Sequence, residues 1–181
     1  MNKVMKEIIN TLLYLLFVLC MTWLLITFVG QRTEVDGASM EPTLYNGDNL
    51  IVDKITYRFK DPQRFDIIVF PFRHKENTYY IKRIIGLPGE TVQIDEDGSI
   101  YINGELLEEH YGKQIILADH RGIAREPVVL GQDEYFVMGD NRNNSTDSRT
   151  EIVGNIKRKD IVGRAWVRIW PFSEFGVLRH Q

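Results

Sequence analysis

Residues 79–89 read Tyr79-Tyr80-Ile81-Lys82-Arg83-Ile84-Ile85-Gly86-Leu87-Pro88-Gly89. Alternation along an extended chain puts Tyr80, Lys82 and Ile84 on one face and Ile81, Arg83 and Ile85 on the other. Aromatic and β-branched residues fill the run, and Gly86-Leu87-Pro88-Gly89 closes it as a turn. A lysine held between Tyr80 and Ile84 loses solvation if that face is covered. Its pKa then falls, and it becomes available as a general base. A lysine snorkelling from a strand edge fits the same residues.

The same pattern recurs on both sides. Strand-like runs occupy 49–53 (NLIVD), 65–70 (FDIIVF), 91–95 (TVQID), 99–103 (SIYIN), 134–138 (EYFVM) and 161–170 (IVGRAWVRIW), with Asp97-Gly98 and Asn103-Gly104 as turns between them. No helical period of comparable strength occurs after residue 30. The expected fold is all-β, made mainly of antiparallel sheets, with residues 30–181 as one domain. Residues 105–130 are more polar and irregular and are expected to be a loop or small insertion.

The N-terminus is built for another solvent. Residues 8–29 carry no charged side chain, and 22 residues span about 33 Å as a helix, enough for the hydrocarbon core of a bilayer. A cleaved secretory signal has an apolar core of roughly 7–15 residues and a small-x-small end. This run is longer and ends on Trp23-Leu24-Leu25-Ile26-Thr27-Phe28-Val29, which favours a retained anchor. Lys3 and Lys6 precede it, while Arg32 follows with Glu34 and Asp36. The positive-inside rule then places residues 1–7 in the cytoplasm and the β domain outside.

Composition narrows the chemistry. The 181 residues carry a net charge of −3, and with Lys3, Lys6 and Glu7 set aside the rest holds 20 basic and 24 acidic residues. That balance lacks the basic face a nucleic-acid binder needs. The single cysteine, Cys20, lies in the apolar run, so the β domain has no disulfide, thiolate nucleophile or zinc-thiolate site. His74, His110, His120 and His180 are scattered without metal-ligand spacing and read as surface residues, and no metal or other cofactor is expected.

Two further segments carry chemistry. In Gly37-Ala38-Ser39-Met40-Glu41-Pro42-Thr43-Leu44, small residues leave open approach to a serine, as a nucleophile requires. An ordinary Ser/Pro/Thr turn fits too. In Gly139-Asp140-Asn141-Arg142-Asn143-Asn144-Ser145-Thr146-Asp147-Ser148-Arg149, opposite charges interleaved with amides look built for internal pairing. A solvated polar loop is the plainer alternative. A calcium loop fails, because Arg142 stands at a ligand position and Ser145 replaces the turn glycine.

Taken in order, SMEPTL at 39–44, GD at 47–48, RFDIIVF at 64–70, IKRIIGLPGE at 81–90 and GDNRNNSTDSR at 139–149 resemble the bacterial type I signal peptidases. Those membrane-bound serine endopeptidases remove signal peptides from exported preproteins. The resemblance covers nearly the whole chain, and the single anchor is similar to the Gram-positive form. It implies a catalytic fold shared with repressor-type Ser-Lys autoproteases, with Ser39 as nucleophile, Lys82 as general base and Ser145 orienting the lysine amine. The Ser39 N–H would donate in the oxyanion hole. Some members add a serine two residues before the nucleophile. Gly37 stands there, so a second donor must come from elsewhere. Asp147 with Arg149 and Asp140 with Arg83 would form salt bridges beside the dyad.

The implied substrate is an extended preprotein segment added to strand edges at 33–38 and 79–82. Val35, Gly37 and Ile81 would shape pockets for small residues at minus-three and minus-one. Core packing of Val35 and Ile81 is an even alternative. Trp166, Trp170, Phe172 and Phe175 could rest on membrane lipid, or the tryptophans could be buried. A repressor-type autoprotease is disfavoured by the anchor and by the absence of a DNA-binding segment. A catalytically dead relative acting as an assembly factor is disfavoured by Ser39, Lys82 and Ser145.

Overall fold

A computed structural model describes residues 3–24 and 30–178. Its first element, α1 (Lys3–Leu24), has no acidic residue in the first turn and no basic one in the last. The Lys3–Trp23 stretch is long and apolar enough to cross a membrane, and none of its most apolar window is buried among the described residues. Exposed Leu, Phe and Tyr side chains surround it, as on a helix whose solvent is lipid. It starts five residues before the expected span, because Lys3 to Glu7 continue the helix. Residues 25–29 of that span lie outside the described residues.

Twelve strands follow, in chain order β1 (Gly30–Glu34), β2 (Asn49–Asp53), β3 (Ile67–Pro71), β4 (Tyr79–Gly86), β5 (Thr91–Ile94), β6 (Ile100–Ile102), β7 (Glu105–Leu106), β8 (Val128–Val129), β9 (Glu134–Met138), β10 (Ile156–Lys157), β11 (Gly163–Trp170) and β12 (Gly176–Val177). One sheet has the order β1-β2-β11-β3-β4-β9-β10, with β12 added to β11, and the other has β7-β6-β5-β8. Every described pairing is antiparallel.

Both faces of β3 are buried, which explains its unbroken apolar run. Ile67 and Val69 join a core with Val35, Met40, Leu44 and Ile81. Ile68 and Phe70 join another with Tyr57, Ile84, Tyr135 and Val137. The strand begins two residues later than expected, since Phe65 adopts φ 72° and Asp66 accepts hydrogen bonds from the Tyr57 hydroxyl and the Gln63 N–H.

Residues 105–130 are more than a surface loop. They contain β7, β8 and two 3-10 turns, Ala118–His120 and Gly122–Arg125. Ile116, Ala124 and Leu130 are buried in the core of the second sheet. These contacts come singly from irregular backbone, so no period marks them in the sequence.

β4 positions the site. Residues 79–83 pair with β3, but pairing with β9 begins only at Arg83. The edge at Tyr79 to Lys82 is therefore open on the β9 side. β1 ends the sheet, leaving a second open edge.

Candidate active site

Ser39 stands on a turn, not on a strand. The turn is closed by the Thr43 and Leu44 N–H groups donating to the Met40 carbonyl, each at 2.9 Å, and is anchored by buried Met40 and Leu44. Gly37 enters it at φ 96°, left-handed geometry that glycine adopts without a Cβ penalty. Its N–H is taken by Asn46 Oδ1 at 2.8 Å. The Ser39 N–H donates to nothing among the described residues.

Lys82 leaves β4 toward this turn. Its side chain is buried, with Nζ 2.7 Å from Ser39 Oγ and 3.0 Å from the Ile81 carbonyl oxygen. The Tyr80 ring, on the same strand face, lies 5.0 Å from Nζ. Burial pulls the amine down to about 8; the Asp147 and Asp140 carboxylates oppose that fall and Arg149 adds to it. A substantial neutral fraction near pH 8 makes this amine able to accept the Ser39 proton.

Arg83 leaves β4 on the opposite face and pairs with Asp140 through two hydrogen bonds, 2.8 and 2.6 Å, both side chains being almost fully buried. Its third contact is the Phe65 carbonyl oxygen at 3.0 Å. The Thr43 hydroxyl donates to Asp140 at 2.5 Å, tying the Ser39 turn to this pair. Asp147 is held by Arg149 through two contacts of 2.8 Å and by the Gly139 N–H at 3.0 Å. Burial works to raise the Asp147 carboxyl, but the Arg149 hydrogen bonds and charge outweigh it and hold the carboxyl below its ordinary range.

Ser145 lies beside this network. Its Oγ is buried next to the Asp147 carboxylate without completing a hydrogen bond to it, and it reaches no other partner among the described residues. The lysine amine that it is expected to orient is therefore not hydrogen-bonded to it here. Gly139 is why the loop can approach: a Cβ there would stand 2.3 Å from Ser145 Oγ and 2.4 Å from the Ser39 carbonyl oxygen.

A cleft of about 280 Å³ opens onto the dyad, lined by Thr33 to Met40, Tyr79 to Lys82 and Asn144 to Thr146. Val35 and Ile81 line the cleft and also belong to the buried core beneath it. Gly37 lines the same cleft. Among the described residues no group of His, Cys, Asp and Glu could hold a metal. His74 and His110 are exposed, His120 is half-buried, and His180 lies outside the described residues.

Three residues quoted in the motifs were given no role. Thr43 joins the turn to Asp140. Asn141 donates from its backbone to the Ser39 carbonyl and from its amide to the Ala38 carbonyl, each at 3.0 Å. Gly139 permits the close approach, and its place directly after an apolar strand was the available signal. Nothing local marks the long-range partners of Thr43 and Asn141.

Comparison with known proteins places the chain in a clear neighbourhood. The family model described as signal peptidase, peptidase S26, matches residues 8–170. The chain is 42% identical over 157 residues to the probable signal peptidase I-2 of Synechocystis, covering 84% of this chain and 68% of that protein. It is 43% identical over 159 residues to the signal peptidase I of Leptolyngbya laminosa, covering 84% and 74%. It is 38% identical over 180 residues to the signal peptidase I P of Bacillus subtilis subsp. natto, covering 97% and 94%.

Proposed function

This chain belongs to the peptidase S26 signal peptidases, serine peptidases that remove signal peptides from exported preproteins, and we propose that Ser39 and Lys82 perform that cleavage in it. The observation that carries the assignment is the 2.7 Å contact between Lys82 Nζ, on a buried side chain, and Ser39 Oγ.

Neutral Lys82 accepts the Ser39 hydroxyl proton as Oγ attacks the scissile carbonyl. The oxyanion forms at the unoccupied Ser39 N–H, aided by a second donor other than the engaged Gly37 N–H. The Lys82 ammonium then gives its proton to the departing amine of the mature protein. Lys82 next activates water against the acyl-enzyme, which frees the signal peptide. Ser145, whose hydroxyl is unpartnered among the described residues and makes no hydrogen bond to the amine in this structure, turns to the amine and orients it once the substrate is seated. The Arg83–Asp140 and Arg149–Asp147 pairs hold the surrounding backbone.

The substrate adds as an extended strand between the open edges of β1 and β4, where main-chain bonding tolerates varied sequence. The cleft walls at Val35, Gly37 and Ile81 leave room for small side chains at minus-three and minus-one. α1 is the membrane anchor, with residues 1–7 cytoplasmic, 8–29 spanning and the catalytic β domain from 30 onward outside. Ser39 follows Val29 by ten residues, at most about 33 Å of extended chain from the membrane exit. Trp166 and Trp170 are half-exposed, and Phe172, Phe175 and Val177 are mostly exposed. That surface rests on the lipid from which the substrate emerges.

Cleavage of a preprotein in detergent by wild type, Ser39→Ala and Lys82→Ala tests the dyad. Both variants are expected to lose cleavage; wild-type rates in both would overturn it.

A further inference from the structure

Residues 109–117 line no part of the cleft, yet they touch the catalytic parts repeatedly. Glu109 takes buried Arg142 in a two-oxygen ion pair. The Lys113 N–H donates to the Asp140 carbonyl at 2.9 Å, and Lys113 Nζ meets Glu41 at 2.6 Å. Asn143 donates to the Ile115 carbonyl at 2.9 Å and accepts the Leu117 N–H at 3.0 Å. At the centre the Tyr111 ring lies 3.9 Å from the Arg83 guanidinium and packs edge-on against Phe65 at 5.3 Å.

We propose that residues 109–117 form a strap that positions the dyad, with Tyr111 clamping Arg83 into its pair with Asp140. Resting on the Ser39–Lys82 reading, the strap supplies what that reading lacks: a reason why two elements 43 residues apart stay in register. Arg83 is the residue after Lys82. Asp140 precedes Asn141, which holds the backbone at Ala38 and Ser39. The Arg83–Asp140 pair therefore couples the strand of the base to the turn of the nucleophile.

In-plane donors of Arg83 serve Asp140, Phe65 and Thr43. Tyr111 covers the face of the guanidinium, a favourable cation–π contact that also excludes water competing for the pair. The ring is the working part, because the Tyr111 hydroxyl is buried without a partner among the described residues.

Simple packing would predict something else. Tyr111 also borders the core of the second sheet, and a packing residue changes the amount of folded enzyme without changing the kinetics of what folds. The strap changes kinetics. Asp140 and Asp147 already favour the Lys82 ammonium against burial and Arg149, with the Tyr80 ring beside it. With Arg83 loosened, the Asp140 charge is less neutralised and favours the ammonium more. The acid limb of kcat then moves up.

The test uses the full-length enzyme in detergent, with kcat and KM for a preprotein measured per folded enzyme across pH. Tyr111→Phe, which keeps the ring, is expected to stay within about two-fold of wild type in both constants. Tyr111→Leu is expected to lose about ten-fold or more in kcat with KM nearly unchanged, as positional errors at a dyad do. Its acid limb should shift upward. A leucine variant with wild-type kcat and pH profile overturns the strap, as does a phenylalanine variant that fails equally. Should Tyr111→Leu not fold, Glu109→Gln decides: a fall in kcat at constant KM supports the strap, and an unchanged kcat overturns it. Ser39→Ala run alongside separates the two readings, since its activity bears on the dyad alone.

Discussion

Gly139 approaches Ser145 so closely that a Cβ on the glycine would stand 2.3 Å from the Ser145 hydroxyl oxygen. The same Cβ would meet the Ser39 carbonyl oxygen at 2.4 Å. One glycine thus sets the spacing between the Ser39 turn and the loop carrying Ser145 and Asp147. Gly139→Ala must push one of them away. It should cost about 10² in kcat, the scale of a 1 Å misplacement in an active site. Overpacking should also remove about 1–3 kcal/mol of stability. Wild-type kcat in purified Gly139→Ala would show that this spacing does not matter.

Lys82 gives a pH signature. Only its neutral form can take the Ser39 proton, and its pKa is lowered to about 8. The neutral fraction falls as pH drops through that value, so kcat should be about fifty-fold lower at pH 6 than at pH 8. A single acid limb is expected, measured with substrate saturating at each pH. A flat profile down to pH 5 would remove Lys82 as the base.

The all-β fold was legible where strands are apolar on alternate or both faces. The 49–53 and 134–138 runs match β2 and β9 residue for residue. β1, rich in polar residues at the sheet edge, has no such pattern, and the short β7, β8, β10 and β12 are too brief for any period to show. At the site, strand alternation separated Lys82 from Arg83 on local grounds. The role of Ser39 needed the family resemblance, because a serine in a small-residue turn is common. Thr43, Asn141 and Tyr111 were illegible for a different reason: each acts through partners 97, 103 or 28 positions away. Sequence proximity carries no trace of such contacts.

Burying the Lys82 amine weakens the fold. Its pKa is 10.5 when exposed and about 8 here, so below pH 8 the native state carries a charge it disfavours by about 3 kcal/mol. The penalty shrinks between pH 8 and 10.5 and vanishes above, where the amine is neutral in both states. Lys82→Met should therefore be inactive yet more stable than wild type at pH 7, with the gain in Tm fading toward pH 10.5. Equal stability of the two proteins at pH 7 would mean that the native state does not disfavour the Lys82 ammonium, so that its pKa is not lowered.

The exposed aromatic surface predicts where the β domain sits relative to lipid. Trp170 is half-exposed and meets Phe172 edge-on at 5.0 Å, while Phe172 and Phe175 present most of their area to solvent. Rings of this kind settle at the headgroup level of a bilayer. In full-length protein carrying Trp23→Phe and Trp166→Phe, Trp170 should be the remaining fluorophore, and brominated lipid in the host vesicles should quench it. Phe172→Ser with Phe175→Ser should weaken that quenching and raise KM about several-fold for a membrane-embedded preprotein, through lost apolar contact with the interface. KM for a short soluble peptide should not change, because the cleft at Ser39 is untouched. Fluorescence indifferent to brominated lipid would place this surface in water and leave α1 as the sole hold on the membrane.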